Sequence, residues 1–169
     1  MATSSKRRPQ RVDRSRQRKP VDAVALLKAD HRQVEGWFEQ FGKSRSASKK
    51  RQLASDICAA LTIHTHIEEE IFYPAFLEAT KDKDMHHEAM VEHEGAKRLI
   101  AELQNMSPED DYFEARVTVL SEMIKHHVKE EEQPGGMFAE AKKAKMDLKR
   151  LGEQMSQRKI ELQRNDEAA

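Results

Sequence analysis

"LTIHTHIEEEIFYPAF", residues 61–76, decides how this chain is read. Its apolar frame of Leu61, Ile63, Ile67, Ile71, Phe72, Ala75 and Phe76 suits a packed helix, yet two histidines and three glutamates break into it. At ~100° per residue, His64 and Glu68 lie ~40° apart, while His66 and Glu69 turn to the flank. Both continue the inward series Leu53, Ile57, Leu61 toward Ile71 and Ala75. A histidine and a glutamate take consecutive slots where core residues belong.

The interruption recurs on three other segments. Asp22 caps a helix expected over 22–41, stopped by Gly42, with the inward series Val24, Leu27, His31, Val34, Phe38, Phe41. The quoted stretch belongs to a helix over 48–79, capped by Ser46 or Ser48, in which Pro74 should kink the axis or end its regular part. A third helix over 85–104 gives Ala89, His93, Ala96, Ile100, Leu103. Ser107 as cap and Pro108 at the first helical position start a fourth over 108–132, with Phe113, Val117, Leu120, Ile124, His127 and Glu131 inward, stopped by the Pro134–Gly136 run. A short helical piece near 137–145 and a polar helix near 147–163, with the thin stripe Leu148, Leu151, Met155, Leu162, follow. Helices of this length joined by short connections predict an all-α, up-down-up-down four-helix bundle over residues 21–134, with a helical extension over 135–169.

Composition agrees with that class. The chain has 169 residues, enough for one domain with a real core. Charged residues make up 36%, aromatic residues 5%, and Gly and Pro together number only 11, which favours helix. The formal charge of zero hides an asymmetry: residues 1–20 hold eight Lys/Arg and one Asp, leaving 22 basic and 29 acidic residues for the remainder. Those first twenty residues lack periodicity, carry Pro9 and Pro20, and read as a disordered basic tail. A single cysteine, Cys58, rules out an intrachain disulfide. No run of ~18 apolar residues exists to span a membrane, and the N-terminus lacks the apolar core of a secretory signal. A cytoplasmic protein is expected.

Six ionisable residues, His31, His64, Glu68, His93, His127 and Glu131, thus fall on the inward faces of four helices. A buried carboxylate without a partner costs several kcal/mol and an unsatisfied imidazole about 1–3 kcal/mol. Together they would consume the ~5–15 kcal/mol that stabilises a domain. A bound cation compensates them, because imidazoles and carboxylates are good ligands for iron, manganese or zinc. Each His/Glu pair one turn apart aims two donors at one point, and a carboxylate can bridge two ions. Phase puts His66, His86, His87 and His126 on the flanks, and Glu69, Glu70, Glu130 and Glu132 on solvated faces.

"KADH" ending at His31, "IHTHIEEEIFYPAF", "EAMVEHEGAKRLI" with His93, and "HHVKEEEQPGGMFAEA" with His127 and Glu131 resemble the hemerythrin-like, or HHE cation-binding, proteins over roughly residues 22–163. The resemblance implies a bundle holding two iron ions in a non-haem centre, with Glu68 and Glu131 as bridging carboxylates and the histidines as terminal ligands. Manganese and zinc are served by the same donors. One departure matters: oxygen-carrying hemerythrins have HxxxH on the third helix, where this chain has Ala89 four residues before His93. Glu35, His86 and Glu88 are the candidates to supply a further ligand, with water or an open position as the alternative.

The reading that follows is a di-iron protein that binds, senses or detoxifies a small oxidant such as oxygen, peroxide or nitric oxide, with oxygen transport not expected. Peroxide- or nitric-oxide-handling turnover is left open, and Tyr73 and Tyr112 are proton-donor candidates by chemistry alone. The alternative is a metal-responsive regulatory module sensing iron or redox state without turnover. Nucleic-acid contact through the basic tail is the lesser expectation beside a solubilising arm. A metal-free structural bundle is the third reading.

Overall fold

The computed structural model describes residues 21–167. The basic tail expected over residues 1–20 lies outside them. The described residues form helices and no strand: α1 (Ala23–Lys43), α2 (Ala47–Ile67), a π-helical turn (Glu68–Phe72), α3 (Tyr73–Thr80), α4 (Lys83–Gln104), α5 (Phe113–Glu132), α6 (Met137–Lys143) and α7 (Leu148–Glu167). α2, the π turn and α3 form one column. α1 packs on α2 and α5, and α4 packs on α2 and α5, which closes the expected up-down-up-down ring. No described helix is long and apolar enough to cross a membrane.

Local chemistry explains the helix starts. The Asp22 carboxylate accepts from the Ala25 N–H at 2.8 Å, the Ser46 hydroxyl from Lys49 at 3.2 Å, and the Asp82 carboxylate from Met85 at 3.0 Å. The expected start at Ser107–Pro108 is corrected. Residues 107–112 form two successive turns, Asp110 N–H to Ser107 C=O and Phe113 N–H to Asp110 C=O, and α5 begins only at Phe113. The Asp110 carboxylate accepts from the Ser107 N–H at 2.7 Å, so the acidic residues hold a turn there in place of a first helical turn.

The expected disturbance at Pro74 is a π turn: the Tyr73 N–H bonds to the Glu68 carbonyl, five residues back, and Pro74 follows with no N–H to donate. One extra residue in the turn rotates everything after Glu68. Ile71 and Ala75, expected inward, are only half-buried, while Phe72, Tyr73 and Phe76 are fully enclosed.

The core divides in two. Val34, Phe38, Leu61, Ile100, Leu120 and Ile124 anchor one apolar cluster; Leu27, Ile67, Phe72, Phe76, Met137 and Phe138 anchor the other. The buried polar residues His31, His64, Glu68, His93, His127 and Glu131 form the layer between them. α7 lies along α1, α2 and the π turn. Gly152 permits that approach, since a β-carbon there would sit 2.2 Å from the Val21 carbonyl oxygen.

Candidate metal centre

The polar layer is built from one helical turn on each side of the ring. α1 supplies His31, α2 and the π turn supply His64 and Glu68, α4 supplies His93, and α5 supplies His127 and Glu131. The structure brings all six together. His31, His64, Glu68 and Glu131 each place a ligand atom within 4.8 Å of the others, and so do Glu68, His93 and His127. The Nε2 atoms pair off, His31 with His64 at 3.2 Å and His93 with His127 at 3.3 Å.

The two glutamates span both pairs. Glu68 Oε1 faces His64 Nε2 at 3.3 Å and its Oε2 faces His93 Nε2 at 3.1 Å. Glu131 Oε2 faces His31 Nε2 at 3.3 Å and its Oε1 faces His127 Nε2 at 3.5 Å. Adjacent ligands of one octahedral ion, with bonds of ~2.1 Å, sit roughly 3 Å apart, which is the spacing found here.

Each imidazole is held from behind by a carboxylate of the neighbouring helix. His64 Nδ1 meets Asp30 at 3.4 Å, His93 Nδ1 meets Glu69 at 2.9 Å, His127 Nδ1 meets Glu92 at 2.6 Å, and His31 Nδ1 meets Glu132 at 2.7 Å. The pairs run round the ring from α1 to α2, from the π turn to α4, from α4 to α5 and from α5 back to α1. Lys159, Lys97 and Arg32 in turn pair with Asp30, Glu69 and Glu132. With Nδ1–H donated outward, every Nε2 presents a lone pair inward. Four lone pairs and two carboxylates then face one another. Glu68 Oε1 and Glu131 Oε2 are buried with no hydrogen-bond partner among the described residues. In a layer this enclosed, only protons or cations relieve that arrangement.

The pKa directions follow the same logic. Burial works against a charged His64, but Glu68 and Asp30 outweigh it and raise its pKa to about 10. His127 is likewise raised to about 9 against burial by Glu131 and Glu92. Burial would lift the Glu68 carboxyl, yet His64 and His93 hold it well below the usual range. Without a metal, protons take the places that cations would fill.

Tyr73 is the residue that sequence reasoning did not place in the centre. Its phenol oxygen lies 3.0 Å from Glu131 Oε1, 3.1 Å from His93 Nε2, 3.2 Å from Glu68 Oε2 and 3.4 Å from His127 Nε2. Ala89, small and buried in the same cluster, leaves room beside α4 for the ring. Burial, Glu131 and Glu68 push the phenol well above its ordinary pKa, so it remains protonated. Tyr112, the other tyrosine, is exposed.

The three candidates for a further ligand stay out. Glu35 pairs with Arg32 at 3.1 Å on the flank of α1. His86 stacks edge-on against the far side of Tyr73, with ring centroids 6.2 Å apart. Glu88 is exposed on α4. Glu69 and Glu132, expected on solvated faces, instead orient His93 and His31. Cys58 is a buried packing residue whose thiol burial raises to about 11.

The family model for the Hemerythrin HHE cation binding domain matches residues 22–134. The crystal structure of a hemerythrin HHE cation-binding domain-containing protein from Mycobacterium kansasii superposes with a TM-score of 0.69 at 25% identity, covering 84% of this chain and 87% of that one. A protein of Nostoc sp. (strain PCC 7120) named DNA nickase is 29% identical over 107 residues, which are 63% of this chain. This chain spans only 30% of that relative's length.

Proposed function

The chain belongs to the Hemerythrin HHE cation binding domain family, and on that premise we propose that it is a non-haem di-iron protein that binds, senses or detoxifies a small oxidant. His31, His64, Glu68 and Glu131 would hold one ion and Glu68, His93 and His127 the other, with Glu131 Oε1 also 3.5 Å from His127 Nε2. Redox-active ions held by these residues would supply the electrons that a small oxidant takes up. Tyr73 holds a proton at Oη within reach of Glu131 and Glu68 in the metal-free chain, and on giving up that proton the same oxygen would serve as the further ligand in place of the histidine absent at Ala89.

The observation that carries this reading is a cavity of about 20 Å³ bordered by all four histidines and by Val34, Leu61, Ile124 and Val128. It has room for about one water-sized molecule and offers apolar walls. Oxygen, nitric oxide and hydrogen peroxide match that volume; an organic substrate does not. The test is to mix the reduced, iron-loaded protein with hydrogen peroxide and with cumene hydroperoxide and follow the visible spectrum. Hydrogen peroxide should react at least ~100-fold faster. Equal rates would remove the cavity as the place of reaction.

A regulatory reading rests on a different observation. Lys159 of α7 pairs with Asp30, which holds His64, and Arg158 grips Glu70 of the π turn at 2.7 and 3.1 Å. The last helix is thereby tied to the centre, and metal loading should slow amide exchange in α7; exchange indifferent to metal rejects this module. The basic residues 1–20 and the likeness to a protein named DNA nickase bring in nucleic acid as a partner. Its binding should weaken steeply with salt and vanish when residues 1–20 are deleted.

A further inference from the structure

A second cavity, of about 310 Å³, reaches the same centre from outside the ring. The start of α4, the end of α5 and the start of α6 enclose it. Its inner wall carries His127 and Glu131, and its outer lining carries Asp82, Asp84, Glu88, Glu92 and Glu130. Among the described residues no Lys or Arg lines it. Glu131 is 2% exposed and its Oε2 has no hydrogen-bond partner among the described residues, while Glu92, also in the lining, turns its Oε1 to His126 Nε2 at 3.0 Å.

Gathering this many carboxylates in one lining costs the fold self-repulsion. Helix capping accounts for Asp82 alone, through Met85. Orientation of His127 accounts for Glu92. Asp84, Glu88 and Glu130 have neither task. A cleft lined by one sign of charge and walled by protein focuses its field and concentrates counter-ions. Carboxylate oxygens also replace the water shell of a hard divalent cation, and do so in steps as the cation moves inward.

We propose that this acidic cleft is the loading route by which a divalent metal ion reaches the centre. Asp84, Glu88 and Glu130 collect the ion at the mouth, Glu92 lies along the passage, and Glu131 and His127 receive it. The route is distinct from the apolar cavity assigned to the oxidant, and its charge turns anions away. The inference rests on the metal-centre reading, and the experiment separates the two.

The test compares the parent protein with the triple variant Asp84→Asn, Glu88→Gln, Glu130→Gln, none of whose positions is assigned as a ligand. Metal-free protein is mixed anaerobically with ferrous iron in a stopped-flow instrument, and uptake is followed against a chromophoric chelator. At about 10 mM ionic strength the variant should load roughly 10-fold more slowly, and the difference should fall below about twofold near 0.5 M salt. Final metal content and the melting temperature of the metal-free chain should match the parent. A control of equal charge change at the opposite end of the bundle, Glu39→Gln, Glu109→Gln, Asp111→Asn, should load like the parent. Equal rates for variant and parent at low salt, a salt-independent slowing, or the same slowing in the control overturns the route while leaving the centre intact. A parent that takes up no metal removes both.

Discussion

Glu132→Gln isolates what the outer carboxylates do. Glu132 accepts from His31 Nδ1 at 2.7 Å and is itself held by Arg32. Glutamine keeps the length and an acceptor oxygen but loses the charge that makes the imidazole a stronger donor to a cation. Removing such a partner commonly costs 10–100-fold in metal affinity, about 1.4–2.7 kcal/mol. The metal-loaded protein should therefore melt about 3–10 °C lower at a fixed metal excess. In the metal-free chain the change is one neutral-for-charged hydrogen bond at a half-buried position, about 1 kcal/mol. Chelator competition gives the affinity, and thermal melts of loaded and metal-free protein give the two stabilities. Unchanged affinity, or an equal loss in both melts, refutes the claim that Glu132 acts through His31 on a cation.

Tyr73→Phe retains the packed ring and removes the oxygen that touches His93, His127, Glu68 and Glu131; the ion held by His93 and His127 should be lost preferentially, lowering metal per chain toward one, as metal analysis after gel filtration will show. For pH, His64 and His127 have folded pKa values raised to about 10 and about 9, so the stability they give the metal-free chain is complete below their ordinary value of 6.5 and is lost as pH rises through 9 to 10. Glu68, held well below 4.5, contributes above that value and loses its contribution as pH falls further. Urea unfolding of the metal-free chain should thus show its plateau near pH 5–6 and a decline by pH 9.5. Metal affinity should move the opposite way, rising with pH as protons leave the imidazoles; parallel pH dependences would contradict the assignment.

Phase along the helices carried a great deal. A residue's position on a 3.6-residue repeat is a local property, so His31, His64, Glu68, His93, His127 and Glu131 could be placed inward before any helix was packed on another. Tyr73 could not, because the π turn adds one residue between Glu68 and Phe72 and a regular repeat then assigns Ile71 to the core in its place. Pro74 was the visible sign, but a missing N–H does not say whether the chain kinks, stops or widens its turn. The outer carboxylates needed tertiary structure too. Asp30, Glu69, Glu92 and Glu132 each sit next to a candidate ligand in sequence, yet each serves the histidine of the adjoining helix. A residue ~100° from an inward position points across the groove between helices, and only the packing order reveals which imidazole stands there. The turns over 107–112 were misread because Ser-Pro followed by acidic residues suits a turn as well as a helix start.

The measurement that tests the centre most directly is the number of metal ions per chain after anaerobic reconstitution with ferrous iron and removal of excess, made on the parent and on Glu68→Ala. The geometry predicts two ions in the parent, a loss of both affinity and stoichiometry in the variant, and a melting temperature in the parent that falls on chelation. One ion or none in the parent, with a melting temperature indifferent to chelator, would contradict a dinuclear centre and leave the six buried residues without the compensation that their burial demands.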